Sequence, residues 1–478
     1  MQLRIGDIAD SMTRGVEGIS ASVSEAFFEP VIRLGVTGLS RAGKTVFITS
    51  LVANILDRGR MPQLRGAAYG AIAAAYLKPQ PDNTIPRFDY ETHLSALTGT
   101  DPHWPESTRS VSELRLSLKV RQGGLGGILG AVTGPRTLHV DIVDYPGEWL
   151  LDLALLDKSY DEWAADAFAR MEERSGSEGF RAVLSETDIT AELSEPVAQA
   201  LAGSFTEYLN GAREAGFSDC SPGRFLLPGD LAGSPVLTFA PLPKPDRVPP
   251  RSSLYREMER RYEAYKSEVV KPFFRDHFSK IDRQVVLVDA LGAIHAGPRA
   301  VEDLRRAMTE ILGAFRPGRN AWLSSLLVGK RVERILFAAT KADHLHHTQH
   351  ARLTAIMQAL MRDARRRADF AGAETAAMAI ASLRATVEEE RQHQGETLHC
   401  VRGRLLSTGR QAALYPGELP EDPAVLLEPA RGGADHWLEA DYNIMNFAPA
   451  RLTLKPGDGP PHIRLDKAAD FLIGDRLT

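Results

Sequence analysis

Apolar positions change their period at residue 31. Before it, Ile8, Met12, Val16, Ile19, Val23 and Phe27 recur at the spacing of one helix face and predict an N-terminal helix over residues 1–30. After it, "VIRLGVTG" reads as a strand, "LSRAGKT" as a glycine-bearing turn and "VFITSLVANILDRG" as a helix. Residues 78–110 are rich in Pro, Asp and Thr and predict an irregular loop. "SELRLSLKV" (112–120) and "TLHVDIVD" (137–144) alternate apolar and polar residues, which predicts neighbouring strands around a flexible glycine-rich connection. Residues 150–280 predict charged helices with a Pro/Gly-rich break at about 221–252. "RQVVLVDAL" (283–291) predicts another buried strand, and Val301, Leu304, Met308 and Leu312 mark the helix after it. "ILFAATKADHL" (335–345) is a buried strand that ends on charge; a helix and the strand-like "AAMAIASLRAT" (376–386) follow. Beyond 387 the helical period fades into Pro, Gly and short strands before a last helix, "KAADFLIGDRL".

Strand–helix alternation of this kind predicts an α/β fold, a mainly parallel sheet with helices on both faces, whose ligands sit beyond the carboxyl ends of the strands. The expected organisation is an N-terminal helix (1–30), a first part of the core (31–149), a helical insertion (150–280), a second part of the core (281–386) and a small C-terminal α+β unit (387–478). A chain of 478 residues is longer than one hydrophobic core usually organises, in keeping with such a division. The net charge of −5 argues against a general nucleic-acid binder. Two distant cysteines, Cys220 and Cys400, make neither a disulfide framework nor a metal-ligand spacing, and suit a reducing cytoplasm. "GAAYGAIAAAYL" (66–77) comes nearest to a membrane span and is too short for one. The N-terminal helix packs on its own domain, or makes peripheral membrane contact as the alternative.

The chemistry concentrates at strand ends. "GLSRAGKT" fits G-x-x-x-x-G-K-[ST] between a strand and a helix, the context that motif requires. Gly38, Ser40, Arg41, Ala42, Gly43, Lys44, Thr45 and Val46 would line a phosphate-binding loop, Lys44 reaching the β- and γ-phosphates and the Thr45 hydroxyl ligating Mg²⁺. In "VDIVDYPGEW" (140–149) Asp144 ends a strand where a water-mediated Mg²⁺ contact needs a carboxylate, and Gly147 would let a backbone N–H approach the γ-phosphate. Asp289, in the Asp-x-x-Gly of "VDALG", competes for the Asp144 role. Guanine presents paired N1–H and N2–H₂ donors that one carboxylate can accept. Asp343 of "TKAD" would read them, with Lys341 lying along the ring, Thr340 bracing the loop, and backbone N–H groups at Ala381 and Ser382 facing the guanine O6. The histidines of "DHLHHTQH" read as a solvated loop and helix start, with no nearby Cys or carboxylate to complete a ligand set.

The order GLSRAGKT, DYPGE, TKAD, IASL resembles a Ras-type GTPase sheet, and "WPESTRSVSELRL", "VDYPGEWLLDL", "RQVVLVDAL", "ILFAATKADH" and "PHIRLDKAADFLIGDRL" are similar to the YcjX-like family of bacterial GTP-binding proteins. The resemblance runs from the phosphate loop to the C-terminus. It implies a Ras-like P-loop NTPase, cytoplasmic and stress-associated, that takes GTP and GDP with Mg²⁺. The insertion would meet a protein effector. It also implies a switch threonine before the second strand, Thr108 with Ser107 its rival, as a further Mg²⁺ ligand; Arg109 beside it could act as a built-in arginine finger or be a solvated arginine. Glu148 stands where many GTPases carry glutamine. A carboxylate there only accepts hydrogen bonds when ionised, so slow hydrolysis is expected. Alternatives are an ATPase, with Asp343 structural, or a nucleotide-stabilised scaffold with negligible turnover.

Overall fold

The computed structural model describes residues 29–39, 41–106, 110–121, 135–313, 332–362, 373–437 and 442–477. The helix expected over residues 1–30 lies outside them except for Glu29 and Pro30.

Seven strands form one sheet: β1 Val31–Gly38, β2 Ile72–Lys78, β3 Ser112–Val120, β4 Arg136–Asp144, β5 Arg283–Val288, β6 Arg334–Ala339 and β7 Glu374–Ala379. Their spatial order is β2-β3-β4-β1-β5-β6-β7. From β4 to β7 every pair is parallel, while β3 runs antiparallel to both β4 and β2. The two alternating segments do lie side by side, with Leu116 opposite Val140 and Arg115 holding Asp141 through bonds of 2.7 and 2.9 Å. Because strand side chains alternate between faces, Val285 and Leu287 enter one core while Val286 and Val288 enter the other.

The first core lies under helix α1, Lys44–Asp57, and is closed by helix α2, Leu465–Ile473, whose Leu465, Ala468 and Leu472 are buried with Phe47 and Val52. That closing helix therefore packs on the main sheet, apart from the strands that precede it. The second core is shared between the sheet and residues 150–280, whose helices include Tyr160–Glu173, Glu195–Glu214 and Leu254–Tyr265. At its centre the fully buried Trp163 stacks on Tyr262, centroids 5.1 Å apart. The small antiparallel sheet β8 Thr386–His393, β9 Glu396–Arg404 and β10 Gln411–Leu414 follows β7.

Two sequence expectations change. The apolar stretch 66–77 divides into a helical turn, Arg65–Ala68, and the edge strand β2. The loop expected over 78–110 contains the helix Tyr90–Thr98, whose first turn is capped by Asp89. Only Tyr90, Ala96 and Leu97 of that helix are buried, too sparse a stripe to show a period. Among the described residues no helix is long and apolar enough to cross a membrane.

Candidate functional site

β1 is the strand from which the sheet grows in both directions, towards β4 on one side and β5 on the other. Crevices at such a point collect ligands. The loop leaving β1 places Arg41 (φ 62°) and Gly43 (φ 79°) in the left-handed region, two residues apart. Successive N–H groups of such a turn curve around an anion. Gly43 adopts that conformation freely, whereas Arg41 bears about 1–2 kcal/mol of strain. The Ala42 N–H donates to the Leu39 carbonyl (3.1 Å), and α1 begins at Lys44. Thr45 is buried and Val46 half-buried in its first turn. Gly38 ends the strand against Leu287, where a Cβ would come within 2.9 Å of the leucine's own. Ser40 lies outside the described residues, as do Thr108 and Arg109.

Next to this loop stands Asp144. Its carboxylate is 3.8 Å from the Lys44 ammonium. Both of its oxygens are buried without a hydrogen-bond partner among the described residues. A carboxylate in that position costs several kcal/mol unless a cation or water satisfies it. With the Thr45 hydroxyl at the same helix start, the donors are all oxygen and carry one negative charge, the set that suits hydrated Mg²⁺. The rival Asp289 is engaged elsewhere: it accepts from the Gly292 N–H (3.0 Å) and pairs with Lys341.

The turn after Asp144 presses on the phosphate loop. A Cβ on Gly147 would fall 2.2 Å from the Gly38 carbonyl oxygen, so only glycine fits there. The Tyr145 hydroxyl, fully buried, donates to Gln284 Oε1 (2.6 Å) and pins the turn to β5. Glu148 is buried and opens the short helix Glu148–Leu151. Trp149, Leu150, Leu151 and Leu153 enter the second core. Asp152, also buried, accepts from the Gly223 N–H (2.7 Å) and the Tyr265 hydroxyl (2.6 Å). Burial pushes its carboxyl up to about 7, against the pull of those two donors.

Two strands from β1, β6 ends in the second cluster. The Thr340 N–H (2.9 Å) and hydroxyl (3.3 Å) both donate to the Val288 carbonyl, bracing the bend. Lys341 turns through φ 61° and its ammonium meets Asp289. Asp343 is buried, and its Oδ2 accepts from the Ala385 N–H (2.8 Å) while its carbonyl accepts from the Thr386 hydroxyl. Sequence reasoning passed over Ala385 because a backbone donor leaves no side-chain signature, and over Thr386 because its hydroxyl meets the Asp343 carbonyl from 43 residues away. Asp289, the partner of Lys341, was visible as a strand-end carboxylate. The Ala381 expectation needs correction: its N–H donates to the Ile463 carbonyl (3.0 Å), because residues 461–463 run back across the end of β7. Ser382 beside it is buried. The histidine loop is not solvated either; His344, His346 and His350 are buried and only His347 is exposed. The Phe447 ring lies 5.2 Å from that of His344, Glu388 of β8 faces His346, and the His350 ring donates to the Ala342 carbonyl (2.8 Å).

A phosphate-type loop at the switch point, an acid at the end of each flanking strand region and a single reversed strand beyond β4 define the P-loop NTPase fold of the Ras-like type. The comparisons narrow this further. The YcjX-like family (DUF463) matches residues 32–477, and the chain belongs to that family. It is 37% identical over 460 residues to the "Ras-like GTPase YcjX" of Escherichia coli strain K12, covering 93% of this chain and 96% of that protein. It is 36% identical over 470 residues to the protein of the same name from Shewanella oneidensis, covering 93% and 94%.

Proposed function

We propose that this protein binds GTP with Mg²⁺ and hydrolyses it slowly to GDP and phosphate, acting as a switch. The observation that carries the reading is Asp343, a carboxylate oriented by the Ala385 N–H at the end of β6. It stands on the sheet edge that also bears Lys44 and Asp144. Two strand spacings separate β6 from β1, about 10 Å, a distance one nucleotide can bridge. The curved backbone of residues 41–43 and the Lys44 ammonium would hold the β- and γ-phosphates and stabilise charge as the terminal bond breaks. Thr45, Thr108 and, through water, Asp144 would hold Mg²⁺, which supplies charge neutralisation on the phosphate oxygens. Gly147 would bring its N–H to the γ-phosphate, and Arg109, two residues before Val111 in sequence, would add charge. Glu148 would orient water less well than glutamine, since it lacks a donor when ionised. Ser382 would complete the base pocket. The names of the relatives support guanine over adenine. We further propose that the switch works in the cytoplasm and in stress responses, as the family resemblance implies, and that it meets a protein effector through the insertion.

Calorimetric titration with GTP, ATP and XTP tests the reading. Wild type should prefer GTP, and Asp343→Asn should lose GTP affinity and gain XTP, because xanthine offers an acceptor where guanine offers N2–H₂. Equal affinity of wild type for ATP and GTP would make the protein an ATPase with a structural Asp343.

A further inference from the structure

The loop after Asp343 meets the β8–β9 hairpin in a cluster the nucleotide reading does not use. His347 Nδ1 lies 2.6 Å from Glu388 Oε2, and His346 Nε2 lies 3.7 Å from the same oxygen. The three ligand atoms all fall within 4.8 Å of one another. We propose that His346, His347 and Glu388 form a binding site for a divalent transition metal ion of the zinc type.

Donors around a four-coordinate Zn²⁺ at 2.0–2.2 Å stand about 3.3 Å apart. The two histidine–Glu388 separations bracket that figure, so on the carboxylate side one contact must open and the other tighten, each by less than an ångström. The His346 ring is held ready. Its Nδ1 is 3.0 Å from the Thr348 hydroxyl, and a hydroxyl that accepts the Nδ1 proton leaves the Nε2 lone pair facing Glu388. Ligating imidazoles are commonly oriented by such a bond on their other nitrogen. The His346 side chain is buried between the rings of His347 (4.3 Å) and His399 (4.5 Å). Arg384 lies 3.5 Å from the other Glu388 oxygen and steadies the carboxylate. Two imidazoles and one carboxylate favour Zn²⁺ and its neighbours over Mg²⁺ or Ca²⁺, which take oxygen. A second set, His346, Glu390 and His399, shares His346. It is the poorer one, because Glu390 is far more exposed than Glu388 and its contact with His399 is 3.9 Å.

The position gives the ion a consequence, which rests on the base-reading role of Asp343. His346 follows Asp343 by three residues, and Glu388 follows Ala385, the donor to Asp343, by three. A bound ion would clamp together the two segments that orient the carboxylate, so metal and guanine nucleotide would alter each other's affinity equally.

The test uses the full chain without an affinity tag, stripped of metal and nucleotide and kept in excess Mg²⁺. Titration with ZnCl₂ should show one ion per chain, and Co²⁺ should give visible absorption bands of a nitrogen/oxygen site. His347→Ala, at the exposed position, and Glu388→Gln should each weaken binding by at least ~10-fold. Wild-type stoichiometry and affinity in both variants would overturn the site, as would an absence of Zn²⁺ binding in wild type. Loss with His399→Gln and not with Glu388→Gln would move the ion to the second set and overturn this assignment. GDP affinity measured with and without Zn²⁺ tests the coupling, and no change overturns it. If Zn²⁺ binds and GDP does not, the metal site stands and the guanine reading falls.

Discussion

One hydrogen atom at Gly147 decides whether the Asp144 turn can lie against the phosphate loop. The clash a methyl group would make is with the backbone of Gly38 and Leu39, which cannot rotate away as a side chain could. Gly147→Ala should therefore cost about 1–3 kcal/mol, the usual penalty of overpacking, and should lower nucleotide affinity as well. Urea denaturation and nucleotide titration check the two effects; a variant unchanged in both would show that the turn has room to move. Gly43 needs glycine for another reason, its positive φ, and among the described residues no neighbour would meet its Cβ. The motif spacing made both glycines visible, but only the packed turn separates a steric requirement from a conformational one.

At the scale of elements, the short helix Glu148–Leu151 is the joint between the phosphate side of the sheet and the insertion. Gly223 packs so closely that a Cβ there would fall 2.2 Å from the Glu148 carbonyl oxygen. The Trp149 indole N–H donates to the Leu227 carbonyl (3.2 Å), and the Arg224 guanidinium lies 3.2 Å from the centre of its ring. Any shift of Gly147 and Glu148 would be felt at these contacts. Asp152 gives the joint a pH dependence. Its carboxyl titrates near 3.9 when unfolded and at about 7 when folded. Between those values the folded chain binds a proton that the unfolded chain has lost, so this contribution to stability falls as pH rises from about 4 to 7 and is level above. Asp152→Asn retains an acceptor for Gly223 and removes the titration. The melting temperature of the variant minus that of wild type should thus be more positive at pH 8 than at pH 5. A difference independent of pH would refute the assignment.

For the whole molecule, the insertion is not a separate body. Its aromatic residues share one core with β4, β5 and β6. A buried ion pair, Arg174 with Asp303, ties it to the helix Pro298–Gly313. Asp303 also accepts from the Ser218 (2.5 Å) and Asp219 (3.0 Å) N–H groups, and Arg174 donates to the Asp219 carbonyl (2.9 Å). Removing one partner leaves a buried charge, so Asp303→Ala should cost about 3–5 kcal/mol, read as a lower urea midpoint. Pairing it with Arg174→Met should recover part of the loss. A single variant as stable as wild type would mean that the guanidinium reaches water on its own.

The sequence alone determined the order of the elements, the phosphate-type loop and the two strand-end acids, Asp144 and Asp343. Those features depend on local spacing: a period of two or three to four residues, or a motif whose glycines and lysine must be neighbours in the chain. Edge strand β2 and the helix Tyr90–Thr98 escaped because half-buried elements carry weak periods. The pairing of Ala381 with Ile463, the docking of Gly223 on Glu148 and the meeting of His346 with Glu388 were decided by tertiary structure. Each joins segments about 40 to 80 residues apart. Such contacts are chosen by which surfaces the sheet and its cores leave to be covered, and no local pattern records that choice.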